Sequence, residues 1–124
     1  MSDLLLWLYL MNAVLLVNHE IDSAYWKEWE LFRLPGEISG FLLIHFPLLF
    51  IVFYGLVLII RQSFLGYIFS IFLCLGGIFA FAIHTYFLKK GREEFNKPIS
   101  KMILISTLLV SVAQLIVTIF LMTV

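Results

Sequence analysis

Apolar residues run almost unbroken along this chain, where a water-soluble helix or strand would interleave them with polar ones. The long runs cover about residues 3–20, 37–60, 64–88 and 100–123. Three of them exceed the roughly 20 residues a helix needs to cross about 30 Å of hydrocarbon. Lipid offers no partner to backbone groups, so an open strand cannot be satisfied there and helices are the predicted elements. The pattern predicts an all-α, polytopic four-helix membrane bundle, with residues 1–124 forming a single transmembrane domain. Within the first run, the apolar stretch from Leu4 to Val17 is preceded by Asp3 rather than by basic residues, which favours an uncleaved span over a secretory leader.

The segment of about residues 21–33 breaks this pattern. Read as a continuous helix, the stretch puts His19, Asp22, Ser23, Trp26, Glu30 and Arg33 on one side. Ile21, Ala24, Tyr25, Leu31 and Phe32 fall opposite, interrupted by Glu28. That is an amphipathic interfacial segment, ended by Leu34-Pro35-Gly36. Its polar face has two possible fates: a solvated surface, or a cover folded over the bundle mouth.

Composition and charge extend the picture. The chain is 63% hydrophobic and 13% charged, far from the ordinary globular range. Eight basic and eight acidic residues cancel, so no nucleic-acid partner is implied. The basic residues are nevertheless asymmetric: Lys27, Arg33, Lys89, Lys90, Arg92, Lys97 and Lys101 share one side, and Arg61 stands in the opposite turn. By the positive-inside rule the first side is cytoplasmic and both termini are non-cytoplasmic. Trp26, Trp29 and Tyr25 suit the headgroup level on that side, and the cluster from Lys89 to Lys101, diluted by Glu93 and Glu94, suits anionic membrane lipids. The lone Cys74 lies within an apolar run and reads as a small packing residue.

Helical phase then selects inward faces. Taking His84 as origin, Ala80, Gly77, Leu73, Ser70 and Gly66 fall within about 40° of it, and small residues mark faces where membrane helices approach closely. Asn12 and Gln114 lie near the middle of their spans, so an interhelical amide contact is expected, as helix glue or as part of a ligand site. His45 stands two residues before Pro47, whose ring removes the bond to the Leu43 carbonyl; the histidine either satisfies a freed carbonyl or joins a site. The three histidines, His19, His45 and His84, all fall in the cytoplasmic half of their spans.

The segments HEIDSAYWKEWELF, LPG, FLLIHFPL and HTYFLKKGREEF resemble a family of small bacterial integral-membrane proteins classed as a domain of unknown function. The resemblance covers essentially the whole chain and implies a multi-pass protein of a bacterial plasma membrane, with no activity attached.

Three chemistries remain open from the residues. Imidazoles with a carboxylate are a ligand set for a divalent metal, zinc or iron, here His19, His45, His84 and Asp22. The same groups suit acid–base chemistry on a lipid-like or quinone-like ligand, with His19, Glu20 and Asp22 as the catalytic candidates and Trp26, Glu30, Asn12 and Gln114 as ligand-binding candidates. The alternative is a non-catalytic accessory or assembly subunit, acting as a homo-oligomer or within a larger membrane complex. One haem-ligating histidine pair without an attachment motif is a weaker reading.

Overall fold

The computed structural model describes residues 2–93 and 95–124; Glu94, counted above with the basic cluster, lies outside the described residues. Five helices follow in order: α1 (Asp3–Tyr25), α2 (Glu28–Leu31), α3 (Glu37–Ile60), α4 (Phe64–Lys89) and α5 (Pro98–Thr123). No strand occurs among the described residues. All but the short α2 are long and apolar enough to cross a bilayer.

The helix starts follow local chemistry. Ser2 Oγ accepts the Leu4 amide proton at 3.1 Å and Ser63 Oγ accepts that of Leu65 at 3.3 Å, each satisfying an otherwise orphaned donor. Pro98 opens α5, where its missing N–H costs nothing. α1 continues past Glu20 to Tyr25, so the expected interfacial helix is not one piece. Its first turn belongs to α1, and the chain then breaks at Lys27, which adopts φ 53° and ψ 57°. That left-handed conformation is uncommon for a residue with a side chain and resets the direction of the backbone before α2.

The four long helices alternate in direction, and each packs on its sequence neighbours, with α5 closing against α1. The α1–α3 and α4–α5 connections mark one end, here the loop end; both termini and the Arg61–Ser63 turn mark the other, the turn end. Packing between α4 and α5 and between α1 and α5 is the most extensive, whereas α3 makes no approach to α5. Glycine explains two of the close approaches. A Cβ on Gly77 would collide with Ser111 Oγ and meet Thr107 Cγ2 at 3.0 Å. A Cβ on Gly55 would collide with Tyr9 Oη, whose hydroxyl donates to the Val52 carbonyl at 2.5 Å.

A directed polar relay fastens α1, α4 and α5 near mid-span. Asn12 Nδ2 donates to Gln114 Oε1 at 2.9 Å and to Ser111 Oγ at 3.1 Å. Gln114 Nε2 donates to Ser70 Oγ at 2.8 Å. Thr118 Oγ1 donates to the Gln114 carbonyl at 2.7 Å, so the 2.7 Å contact between Ser70 and Thr118 has the serine as donor. The amide contact expected between Asn12 and Gln114 is therefore present, and every member of the relay is buried. In hydrocarbon such groups need one another because no water competes for them.

Candidate functional site

His19 and His84 meet where the loop ends of α1 and α4 converge. Their rings are 4.8 Å apart, edge to face, and only 3% and 2% exposed. His84 falls in the same buried row of α4 as Gly66, Ser70, Leu73 and Gly77, the face its helical phase selects. Phe95, from the α4–α5 connection, roofs both rings: its centroid is 5.5 Å from that of His19 and 4.0 Å from that of His84. Phe32 adds a further wall 6.0 Å from His84. Ser23 Oγ lies 3.5 Å from His19 Nε2. His19 Nδ1 and His84 Nδ1 are buried without a hydrogen-bond partner.

His45 occupies the facing surface of α3 and pairs with Glu20 of α1. Its Nδ1 is 2.7 Å from the Phe41 carbonyl, which only accepts, so Nδ1 carries the hydrogen. Nε2 then faces a carboxylate oxygen, and a bare lone pair there would be repelled. One proton must lie between the two groups, donated by Glu20 or by an imidazolium. The histidine thus bonds to the carbonyl one turn before it rather than to the Leu43 carbonyl that Pro47 leaves without a donor. Phe41 stacks on the imidazole with centroids 3.9 Å apart, and Trp29 packs on Phe41 at 5.6 Å, tying α2 to the start of α3.

The carboxylate nearest the His19–His84 pair is Glu28, which the continuous-helix reading turns away from the histidines. The left-handed Lys27 shifts the phase of everything after it, so α2 presents Glu28 inward and leaves Glu30 exposed. Glu28 Oε1 stands 4.0 Å from His84 Nε2, and His19, Glu28 and His84 each offer a ligand atom within 4.8 Å of the others. Burial raises the Glu28 pKa from its ordinary 4.5, opposed by a hydrogen bond from Ser23 and by the nearby His45. Nothing in the sequence flags the left-handed residue: Lys27 is neither Gly nor Asn, the usual occupants of that region.

The other candidates are engaged elsewhere. Asp22 Oδ1 accepts from Trp26 Nε1 at 3.0 Å, a one-turn pair along α1 that leaves both residues half-buried. Asn12 and Gln114 belong to the mid-span relay, and of the two Asn12 also borders the cavity described next.

From this polar cluster a cavity of about 610 Å³ runs down between α1, α3 and α4. His19, Glu20, Glu28, His45 and His84 line its loop end, and Tyr9, Asn12 and Val52 its deep end. Between them the walls are hydrocarbon. Gly76 contributes open space, since a Cβ there would have no neighbour within 4 Å. Ile44 and Ile51 from α3, with Phe72 and Phe79 from α4, line the cavity and are also exposed on the outer surface. The cavity therefore opens sideways, through the gap between α3 and α4.

A family model, described as a family of unknown function (DUF6713), matches residues 5–121. No curated protein matches the chain, and no solved structure does.

Proposed function

The chain belongs to the DUF6713 family of unknown function, so its activity has to be argued from its site, and we propose that it binds a lipid-like amphiphile within the bilayer. The apolar part of that molecule would occupy the α1/α3/α4 cavity and its polar group would meet the His/carboxylate end. The supporting observation is the cavity itself. Its volume of about 610 Å³ lies in the range of small-molecule sites, and its side opening is bordered by residues that would face acyl chains, so an apolar molecule enters without crossing water. At the polar end, the proton held between Glu20 and His45 is available to a hydroxyl or carbonyl group of the ligand. Acid–base chemistry on an isoprenoid or quinone-like molecule follows from that arrangement.

In this reading the loop end, with seven of the eight Lys and Arg residues, faces the cytoplasm of a bacterial plasma membrane, and both termini face away. Lys89, Lys90 and Lys101 then lie at the level of anionic headgroups. A reporter fused to the C-terminus is expected to be active outside the cytoplasm; activity inside would invert the orientation.

The binding test is mass spectrometry of lipids retained by detergent-purified protein. Wild type is expected to keep a defined amphiphile that Gly76→Phe, which fills the cavity, loses by about tenfold or more, while Gly76→Ala keeps it. Equal recovery from Gly76→Phe and wild type would remove the proposal. One observation favours the second reading, an accessory or assembly subunit: the buried amides of Asn12 and Gln114 are fully engaged in holding helices together. That reading expects a stable larger assembly on native gels that survives His45→Gln and Glu20→Gln.

A further inference from the structure

The amphiphile reading uses the cavity and the Glu20–His45 pair but leaves His19, His84 and Glu28 without a task. These are costly residues to bury. Both imidazoles are almost wholly enclosed, each has a ring nitrogen without a partner, and Glu28 Oε2 is likewise buried and unpartnered. Unpaired polar atoms in such surroundings lose their hydration with nothing in return. The three residues each offer a ligand atom within 4.8 Å of the others, so one partner could serve all of them.

We propose that His19, Glu28 and His84 bind one divalent transition-metal ion of the zinc–iron class, with an open coordination position facing the cavity. The geometry carries this. The ligand atoms lie within 4.8 Å of one another, whereas bonds of 2.0–2.1 Å in a tetrahedral site set ligand separations of roughly 3.4 Å. Closing the widest such gap, from 4.8 Å, takes about 1.4 Å of approach, shared between side chains. Glu28 can supply much of it by rotation about its own side-chain torsions, with α2 (Glu28–Leu31) left in place.

The donor set points to the metal class. Two imidazoles and a carboxylate suit zinc in an open, reactive site or ferrous iron in a facial triad, while magnesium and calcium favour oxygen ligands throughout. Ser23 Oγ lies 3.5 Å from His19 Nε2, whereas His19 Nδ1 is buried without a partner and is the nitrogen free to ligate. Phe95 and Phe32 form the apolar surround that keeps water from the ion. All three ligands border the cavity, so the remaining position points where a ligand's polar group would lie. His45 and Asp22 are outside the set because the converging ligand atoms come from His19, Glu28 and His84, while His45 is paired with Glu20 and Asp22 turns Oδ1 to Trp26. The inference stands apart from the amphiphile reading, since the ligand atoms converge whatever fills the cavity.

The test uses full-length protein in detergent, stripped with a chelator and then dialysed against Zn²⁺ or Co²⁺. One equivalent per chain is expected by elemental analysis, with the visible absorption of four- or five-coordinate cobalt. Glu28→Gln and the double variant His19→Gln/His84→Gln should weaken binding by at least about tenfold, the scale that loss of even an outer-shell partner reaches. Asp22→Asn and Glu30→Gln should not. Because a variant may fold poorly, His84→Cys gives an independent readout: a thiolate on cobalt adds an intense near-ultraviolet charge-transfer band that wild type lacks. Gly76→Phe should retain the metal, which separates failure here from failure of the amphiphile reading. Absence of saturable binding to wild type, or one equivalent still held at wild-type affinity by His19→Gln/His84→Gln, would overturn the proposal.

Discussion

Replacing Asn12 by leucine tests whether the mid-span relay holds the bundle. The substitution conserves side-chain size but removes the donors to Gln114 Oε1 at 2.9 Å and Ser111 Oγ at 3.1 Å. Interhelical hydrogen bonds in membranes contribute on average about 0.6 kcal/mol each and at most about 1.7, so the two together represent about 1–2 kcal/mol. Gln114 Oε1 is also stranded in a fully buried position, which adds about 1–3 kcal/mol. The expected cost is therefore about 2–5 kcal/mol. Gln114→Leu strands Asn12 and breaks the bond to Ser70 Oγ, with a cost of similar size. In the double variant, apolar groups replace both members of the contact and neither is left unpaired. It should lose about 1–2 kcal/mol less than the sum of the single variants. Equilibrium unfolding in mixed micelles, followed by helical circular dichroism, measures all three. If the single costs add to within about 0.5 kcal/mol, the contact is not energetically coupled and the relay is not the fastening it is taken to be.

Adjacent glycines should respond oppositely to the same change: Gly77→Ala, with Ser111 and Thr107 in the way, is expected to destabilise by about 1–3 kcal/mol. Gly76→Ala, which meets open space, should stabilise by about 0.5–1 kcal/mol, and shifts of the same sign in the same unfolding assay would contradict the packing. Tyr9→Phe removes a donor from the Val52 carbonyl and should cost about 0.5–1.5 kcal/mol; no measurable loss would mean that this bond contributes nothing. In metal-free buffer, the raised Glu28 pKa means that folding takes up a proton there. The associated stability is full below 4.5 and is lost as pH rises through the raised value. Denaturant midpoints should show that decline in wild type and a flatter profile in Glu28→Gln; an unchanged profile would refute the assignment.

The four long apolar helices were legible because crossing a bilayer requires a length and a polarity that composition records directly. The inward face of α4 was legible as well, since Gly66, Ser70, Gly77 and His84 recur at helical spacing, and small residues bring helices together. Asn12 and Gln114 could be paired because buried amides have few other partners. Glu28 was not legible. Its orientation depends on a single backbone conformation at Lys27, and a helical projection carries any phase error onward to every later residue. Phe95 escaped for a related reason: it lies in a connection, where no periodicity assigns a face. The cavity has no signature in the sequence, because it comes from the way α1, α3 and α4 pack against one another, which depends on packing along whole helices.

The relay joining α1, α4 and α5 has an electrical consequence. Each hydroxyl in it already directs its hydrogen one way, and the links through Asn12 and Gln114 are carboxamides, which neither release nor take up a proton near neutrality. Hopping conduction stalls at such groups. This stretch of the molecule therefore acts as an insulator, and a proton leaving the Glu20–His45 pair would have no route along it to the turn end.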